Sequence, residues 1–205
     1  MDLEKVRLHL PKFERDVAIV AEKMGDHQPS VIVYVEVLRH LVRHEASGAC
    51  HKYSAILYVL LSELEAQLPG DADEVSLRIG VVLSPDGEKF DHSWVQYGPG
   101  IYDAAVCLPS AIGGQTGGPV FASHDLLTGQ FVHGRYTQLA ALELDDDAQR
   151  VARWTLSDYA DYIAQEGALS LWEIVVEIGN EVGFPLNAEA LRVKYGGHLR
   201  VRADH

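Results

Sequence analysis

Cysteine and basic residues are scarce in this 205-residue chain, and each scarcity excludes a class of protein. Two cysteines are too few for a disulfide framework, so reduced thiols are expected. Lys and Arg number 17 against 30 Asp and Glu, which gives a formal net charge of −13. Because nucleic acid and anionic membranes repel a negative surface, neither is expected as the main partner.

Long apolar runs are also lacking. No segment reaches the roughly 18 apolar residues that a membrane-spanning helix needs. The N-terminal segment Met1–Lys5 has neither the basic region nor the apolar stretch of a signal peptide. We therefore expect a cytoplasmic protein. Apolar residues make up 47% of the sequence, which is enough for a hydrophobic core and too much for a disordered chain.

The first 69 residues are predicted to be mainly helical. A first helix is indicated by apolar residues at helical spacing: Leu3, Val6, Leu10, Phe13, Val17, Val20 and Met24. The segment 31–44 begins with β-branched residues, but Pro29 as a first-turn residue and the leucines that follow favour a helix. A third, strongly apolar helix is expected to begin near Cys50.

Three strands are predicted after these helices, over 75–83, 90–97 and 101–106. The short connections between them are rich in Gly and Pro, which indicates tight turns and an antiparallel meander. The following segment, 108–134, is rich in Gly, Pro and Ser. Loops of that length are often functional.

The chain is predicted to be helical again from about Asp145. Ser170 and Glu173 fit a capping box, and Asn187 is a predicted helix cap. The predicted fold class is therefore α+β, with N-terminal helices packed on an antiparallel meander and an extra C-terminal helical segment.

Length favours one domain over residues 1–205. Its core is predicted to span about 29–134, and its helical extension about 145–205.

Cys50 is the first candidate for chemistry, because it is expected to open an apolar helix. Free amides and the helix dipole at an N-terminus favour a thiolate, which is the nucleophilic form of cysteine. His51 and Lys52 could add positive charge beside it. The alternative is a small apolar cysteine packed in the core.

His92 and Asp103 are the candidate partners of Cys50. They are predicted on adjacent antiparallel strands, which can bring their side chains together. A histidine there can pair with a thiolate and protonate a leaving group, and a carboxylate can orient the imidazole. The alternatives are a strand histidine bonded to backbone and an aspartate near a turn that faces water.

These three motifs together resemble a known family. The motifs are Gly48-Ala49-Cys50-His51 at a helix start, Asp91-His92-Ser93-Trp94-Val95 on a strand and Tyr102-Asp103 on the next strand. They are similar to the transglutaminase-like branch of the papain-like cysteine enzymes. That branch includes transglutaminases, peptidases and amidases, and arylamine N-acetyltransferases share the arrangement. The resemblance covers roughly 31–106.

The resemblance implies a papain-like, transglutaminase-like fold and a catalytic triad of Cys50 as nucleophile, His92 as general acid/base and Asp103 as orienting carboxylate. The expected activity is that of a hydrolase of the thiol protease or amidase kind, acting through a Cys50 thioester on a peptide, protein or small amide substrate. A transferase using an amine acceptor and a non-catalytic binding protein that retains the fold are the alternatives. No cofactor is expected.

Other residues offer weaker patterns. His40 and His44, with Cys50 and His51 nearby, could suggest a zinc site, but a solvated histidine-rich face is the preferred interpretation. No metal is therefore expected.

Three further candidates lie after the meander. His124, Asp125 and His133 are interpreted as ordinary loop residues. The glycine-rich segment 113–118 is interpreted as a flap over the cleft, and Cys107 as structural.

Overall fold

The computed structural model describes residues 2–24, 28–69, 73–109, 116–137, 143–165 and 169–202. Its helices are α1 (Leu3–Met24), α2 (Gln28–Arg43), α3 (Cys50–Glu65), α4 (His133–Thr137), α5 (Asp146–Arg153), α6 (Leu156–Ala164), α7 (Leu171–Glu181) and α8 (Ala188–Tyr195). Its strands are β1 (Val75–Leu83), β2 (Lys89–Tyr97), β3 (Gly100–Tyr102), β4 (Val120–Phe121), β5 (His124–Asp125) and β6 (Val201–Arg202). The α+β class is confirmed. No helix in these ranges has the length and apolar character needed to cross a bilayer.

The main sheet has the strand order β3-β2-β1-β6. β1 and β2 pair antiparallel over their whole length, as predicted, and β6 joins the other edge of β1 in parallel. The predicted third strand, 101–106, is too long, because β3 ends at Tyr102. The Asp103 carboxylate accepts hydrogen bonds from the amides of Ala105 and Val106, which turns the chain out of the sheet.

Helix α3 is the central helix. Its residues from Tyr53 to Leu61 are all buried, because the helix packs against β1 and β2 on one side and against α2 and α7 on the other. The first turn of α3, which begins at Cys50, is partly open to solvent. The fold therefore presents Cys50 at one end of a helix whose central residues are enclosed.

Helices α5, α7 and α8 begin where the sequence predicts helix starts. Asp145 accepts from the amide of Ala148, and Asn187 accepts from the amide of Ala190. The Ser170–Glu173 capping box is also formed. Helix α7 packs on α3, and one core cluster includes buried residues of α1, α2, α3, α6, α7 and α8. The C-terminal segment therefore shares its hydrophobic core with the segment that carries Cys50.

Candidate active site

His92 and Asp103 are in direct contact. The ring nitrogen Nε2 of His92 lies 2.7 Å from Oδ2 of Asp103, and both side chains are buried. His92 is on β2 and Asp103 directly follows β3, the neighbouring strand, so sheet pairing brings them together. Because this bond uses Nε2, Nδ1 is the ring nitrogen that can face the sulfur of Cys50.

Both oxygens of the Asp103 carboxylate accept hydrogen bonds. Oδ2 accepts from the Tyr136 hydroxyl at 2.8 Å as well as from His92. Oδ1 accepts from the backbone amides of Ala105 at 3.1 Å and Val106 at 3.0 Å. A buried carboxylate held in this way keeps a fixed orientation, and charge-assisted bonds of this kind are stronger than neutral ones.

Tyr136 was not predicted as a site residue. It lies on α4, between the predicted loop 108–134 and the helical segment predicted from about Asp145, and a lone tyrosine has no spacing pattern that could reveal its role. Burial and the negative charge of Asp103 raise the pKa of Tyr136 well above its ordinary value. Tyr136 therefore remains a hydroxyl donor to the carboxylate.

Removing the Tyr136 hydroxyl tests its contribution. We expect Tyr136→Phe to lower the free energy of unfolding by about 1–2 kcal/mol, because Asp103 loses one neutral donor and keeps three. The ring can keep its edge-on contact with Trp94, so the substitution should cost little packing energy. Urea unfolding of the two proteins measures the difference. An unchanged midpoint would show that the hydroxyl does not stabilise the buried carboxylate.

Cys50 is partly exposed at the first residue of α3. Burial alone would raise the pKa of its thiol, but the positive charges and hydrogen bonds of His92 and His51 hold this pKa well below the ordinary value. Burial likewise opposes charge on His92, but the negative charges of Asp103 and Cys50 raise its pKa to about 10. The two groups favour a thiolate–imidazolium pair over a wide range around neutral pH.

His51 and Arg200 complete the positive surroundings of the sulfur. His51 Nδ1 lies 2.7 Å from the Ser93 hydroxyl, which fixes its ring. Nη2 of Arg200 donates to the carbonyl of His51 at 3.0 Å, and the guanidinium lies over the ring of Tyr159. Burial lowers the pKa of Arg200 to about 10, and the charge of Cys50 partly opposes this. Arg200, just before β6, gave no signal in the sequence.

The segment before α3 is anchored to the segment after β3. The amide of Gly48 donates to the carbonyl of Leu108 at 2.9 Å, and the Ser47 hydroxyl donates to the carbonyl of Pro109 at 2.6 Å. Gly48 has a φ of 66°, which glycine adopts without strain. The N-cap residue, Ala49, makes no side-chain hydrogen bond to the first turn. The first amides of α3, beside the sulfur, are therefore suited to donate hydrogen bonds to an oxyanion.

Cys50 and His92 share a cleft of about 440 Å³. Phe90, on β2, and Ala105 and Val106, after β3, are among the residues that line it. Among the described residues, the carboxylates of Glu88, Asp91 and Asp145 and the ammonium group of Lys89 also line it. The cleft therefore offers a nucleophile, a proton carrier and a surface that favours a neutral or positively charged molecule.

The weaker candidates after the meander lie apart from this cleft. Buried Asp125 accepts from the amides of Gly118, Leu127 and Thr128, which gives it a role in loop structure. His124 contacts the carbonyl of Ala122. His133 lines a different pocket.

Cys107 and the predicted flap complete the set of candidates. Cys107 is buried, with its pKa raised by burial, as expected for a structural cysteine. Of the predicted flap 113–118, residues 113–115 lie outside the described residues, and Thr116 lines the cleft.

The solvated face expected for His40 and His44 is wrong for His40, which is only 2% exposed. Helix α7 packs against α2 and supplies the cover that the sequence pattern of α2 alone could not show.

Comparison with known proteins adds no relative. No family model, curated protein or solved structure matches this chain. Its function must therefore be argued from the geometry of the cleft and from the residues that line it.

Proposed function

We propose that this chain is a cysteine-dependent acyl-transfer enzyme of the transglutaminase-like, papain-like kind, and that it hydrolyses a peptide or amide bond. The observation that carries the proposal is the contact of His92 with Asp103, together with the reciprocal pKa shifts of His92 and Cys50 in a solvent-accessible cleft. Nucleophile, base and orienting carboxylate are the parts that covalent acyl transfer requires.

In the proposed reaction the Cys50 thiolate attacks the substrate carbonyl, and the carbonyl oxygen takes the negative charge. The backbone amide of Cys50 donates to this oxyanion. As the C–N bond breaks, the His92 imidazolium gives its proton to the leaving amine, and a thioester remains on Cys50. His92 then takes a proton from water, the hydroxide attacks the thioester, and the thiolate leaves as the acid is released.

Asp103 acts through His92 in this scheme. Its bond to Nε2 fixes the ring so that Nδ1 faces the sulfur, and its charge stabilises the imidazolium. Tyr136 and two backbone amides hold the carboxylate in turn. Asp103 and Tyr136 are therefore positioning residues, whereas Cys50 and His92 contact the reacting atoms.

Transfer to an amine is the second candidate reaction. The carboxylates of Glu88, Asp91 and Asp145 at the cleft favour the approach of a positively charged amine. Hydrolysis is preferred because the sequence has no calcium-site signature. The two reactions are separated by incubating the protein with peptide amides and a biotinylated primary amine. Mass spectrometry would find free acid in one case and the conjugate in the other, with Cys50→Ala as the inactive control.

The pH dependence of Cys50 alkylation tests whether the thiol is activated. We expect iodoacetamide to modify Cys50 at about pH 6 within roughly threefold of the rate at pH 8, because a lowered pKa keeps the thiolate populated in that range. The rate should fall only when more acidic solution protonates the sulfur. Peptide mass spectrometry reports both thiols, and buried Cys107 is the internal control, since it should react only after unfolding.

An ordinary thiol would give the opposite result. A rate that rises about tenfold per pH unit from pH 6 to pH 8, toward the ordinary thiol pKa of 9.0, would contradict the proposed activation and favour a binding protein that retains the fold.

A further inference from the structure

A buried histidine outside the cleft has an unpartnered ring nitrogen. His40, on α2, is 2% exposed, and its Nδ1 lies 2.9 Å from the hydroxyl of Tyr53. Its Nε2 has no hydrogen-bond partner among the residues that the structure describes. Burying a polar atom without a partner costs free energy, so an orphaned imidazole nitrogen needs an explanation.

The orphaned nitrogen faces two other potential ligands. Glu177, on α7, places Oε1 3.9 Å from His40 Nε2, which is too far for a hydrogen bond. His44, one turn after His40, stacks on its ring with the centroids 4.1 Å apart. One potential ligand atom from each of the three side chains lies within 4.8 Å of the other two. Two imidazoles and a carboxylate thus converge on one point between α2 and α7.

We propose that His40, His44 and Glu177 bind a divalent transition-metal ion, with Zn²⁺ as the best match to these ligands. Two histidines four residues apart on one helix face are a recurrent zinc-binding arrangement. Zinc holds such nitrogen and oxygen ligands at about 2.0–2.2 Å, so a tetrahedral set places them about 3.4 Å apart. To reach that geometry the exposed ring of His44 must rotate out of its stack on His40, and the half-exposed Glu177 carboxylate must move closer to His40 Nε2.

Tyr53 supports the metal-binding form of His40. When Nε2 holds a metal ion, Nδ1 carries the hydrogen, and it can donate this hydrogen to the Tyr53 oxygen. Partners of this kind orient metal-ligating histidines and fix their tautomer. Water can complete the coordination, because His44 lies at the surface. Nearby Arg43 contacts Glu181 and Glu36, so its charge is partly balanced by these carboxylates.

Such an ion would join α2 to α7. Helix α7 packs on α3 and belongs to the C-terminal segment, so the metal would tie that segment to the helices that precede the sheet. The site is independent of the proposed catalytic chemistry, since it contains none of the residues of the cleft.

The test measures Zn²⁺ affinity by competition with a colorimetric chelator, using the full chain as Cys50→Ala, which removes the thiolate of the cleft as a competing ligand. We expect one equivalent to bind and His44→Gln or Glu177→Gln to weaken binding about tenfold or more, as loss of a ligand requires. His44 is exposed and Glu177 is partly exposed, so neither substitution changes the packing of the hydrophobic core. His40→Gln should abolish binding.

His124→Gln is the control, because it removes a histidine on β5 whose ring contacts the carbonyl of Ala122 and that is none of the three proposed ligands, so it should leave the affinity unchanged. Bound Co²⁺ should also give the visible absorption of a tetrahedral site, and Zn²⁺ should raise the melting temperature of the parent more than that of His44→Gln. Equal affinities in the parent, His44→Gln and Glu177→Gln, or no stoichiometric binding to the parent, would overturn the proposal.

Discussion

Replacing His92 by alanine is expected to slow the alkylation of Cys50 at about pH 6 by a hundredfold or more. The imidazolium of His92 is the largest of the influences that lower the thiol pKa against the opposing effect of burial. The thiolate fraction at acidic pH falls about tenfold for each unit by which the thiol pKa rises, and His92→Ala removes the largest of the influences that lower this pKa. The measurement is the iodoacetamide rate at Cys50, followed by intact mass.

Two companion variants make this result specific. His124→Ala removes a histidine that contacts a local carbonyl outside the cleft, so it should leave the rate unchanged. His51→Ala removes the second positive neighbour and should slow the reaction less than His92→Ala does. If His92→Ala reacted as fast as the parent at acidic pH, the pairing of Cys50 with His92 would be refuted.

Asp103→Ala is expected to lower the free energy of unfolding by about 3–5 kcal/mol, because it removes one partner of a buried charge pair. The change leaves His92 buried without its counter-charge. It also leaves the Tyr136 hydroxyl and the amides of Ala105 and Val106 without an acceptor. Urea unfolding monitored by circular dichroism measures the loss.

Asp103→Asn is the matched variant. It keeps the size and one acceptor oxygen but removes the charge, so we expect a smaller loss of stability than with alanine. Its Cys50 alkylation at acidic pH should still slow, because the imidazolium loses the charge that raises its pKa. If Asp103→Ala proved as stable as the parent, the carboxylate would not be the centre of this buried network.

The site could be predicted from the sequence where local pattern and chemistry coincide. Cys50 stands out because an apolar helix follows it directly, and His92 because it lies within an evident strand. Asp103 was placed on the third strand, whereas it lies just beyond the strand's end, because the turn depends on its own side-chain bonds. A strand pattern cannot reveal that the Asp103 side chain bonds the following backbone amides in place of the hydrogen bonds between strands.

Other contributors were beyond reach because only tertiary packing defines their roles. Tyr136 and Arg200 come from elements far along the chain, and each is a single residue without a repeating pattern. Likewise, the burial of His40 depends on α7, which begins 131 residues later. The two-residue strand β6 has too few positions for an alternation to be recognised.

The hydrogen bonds from Gly48 to Leu108 and from Ser47 to Pro109 have a mechanical consequence. They join the segment before Cys50 to the backbone that follows Asp103. The same backbone donates the Ala105 and Val106 amides to the Asp103 carboxylate, and it lines the cleft. A molecule bound in the cleft therefore contacts backbone that is bonded both to the segment before Cys50 and to the Asp103 carboxylate.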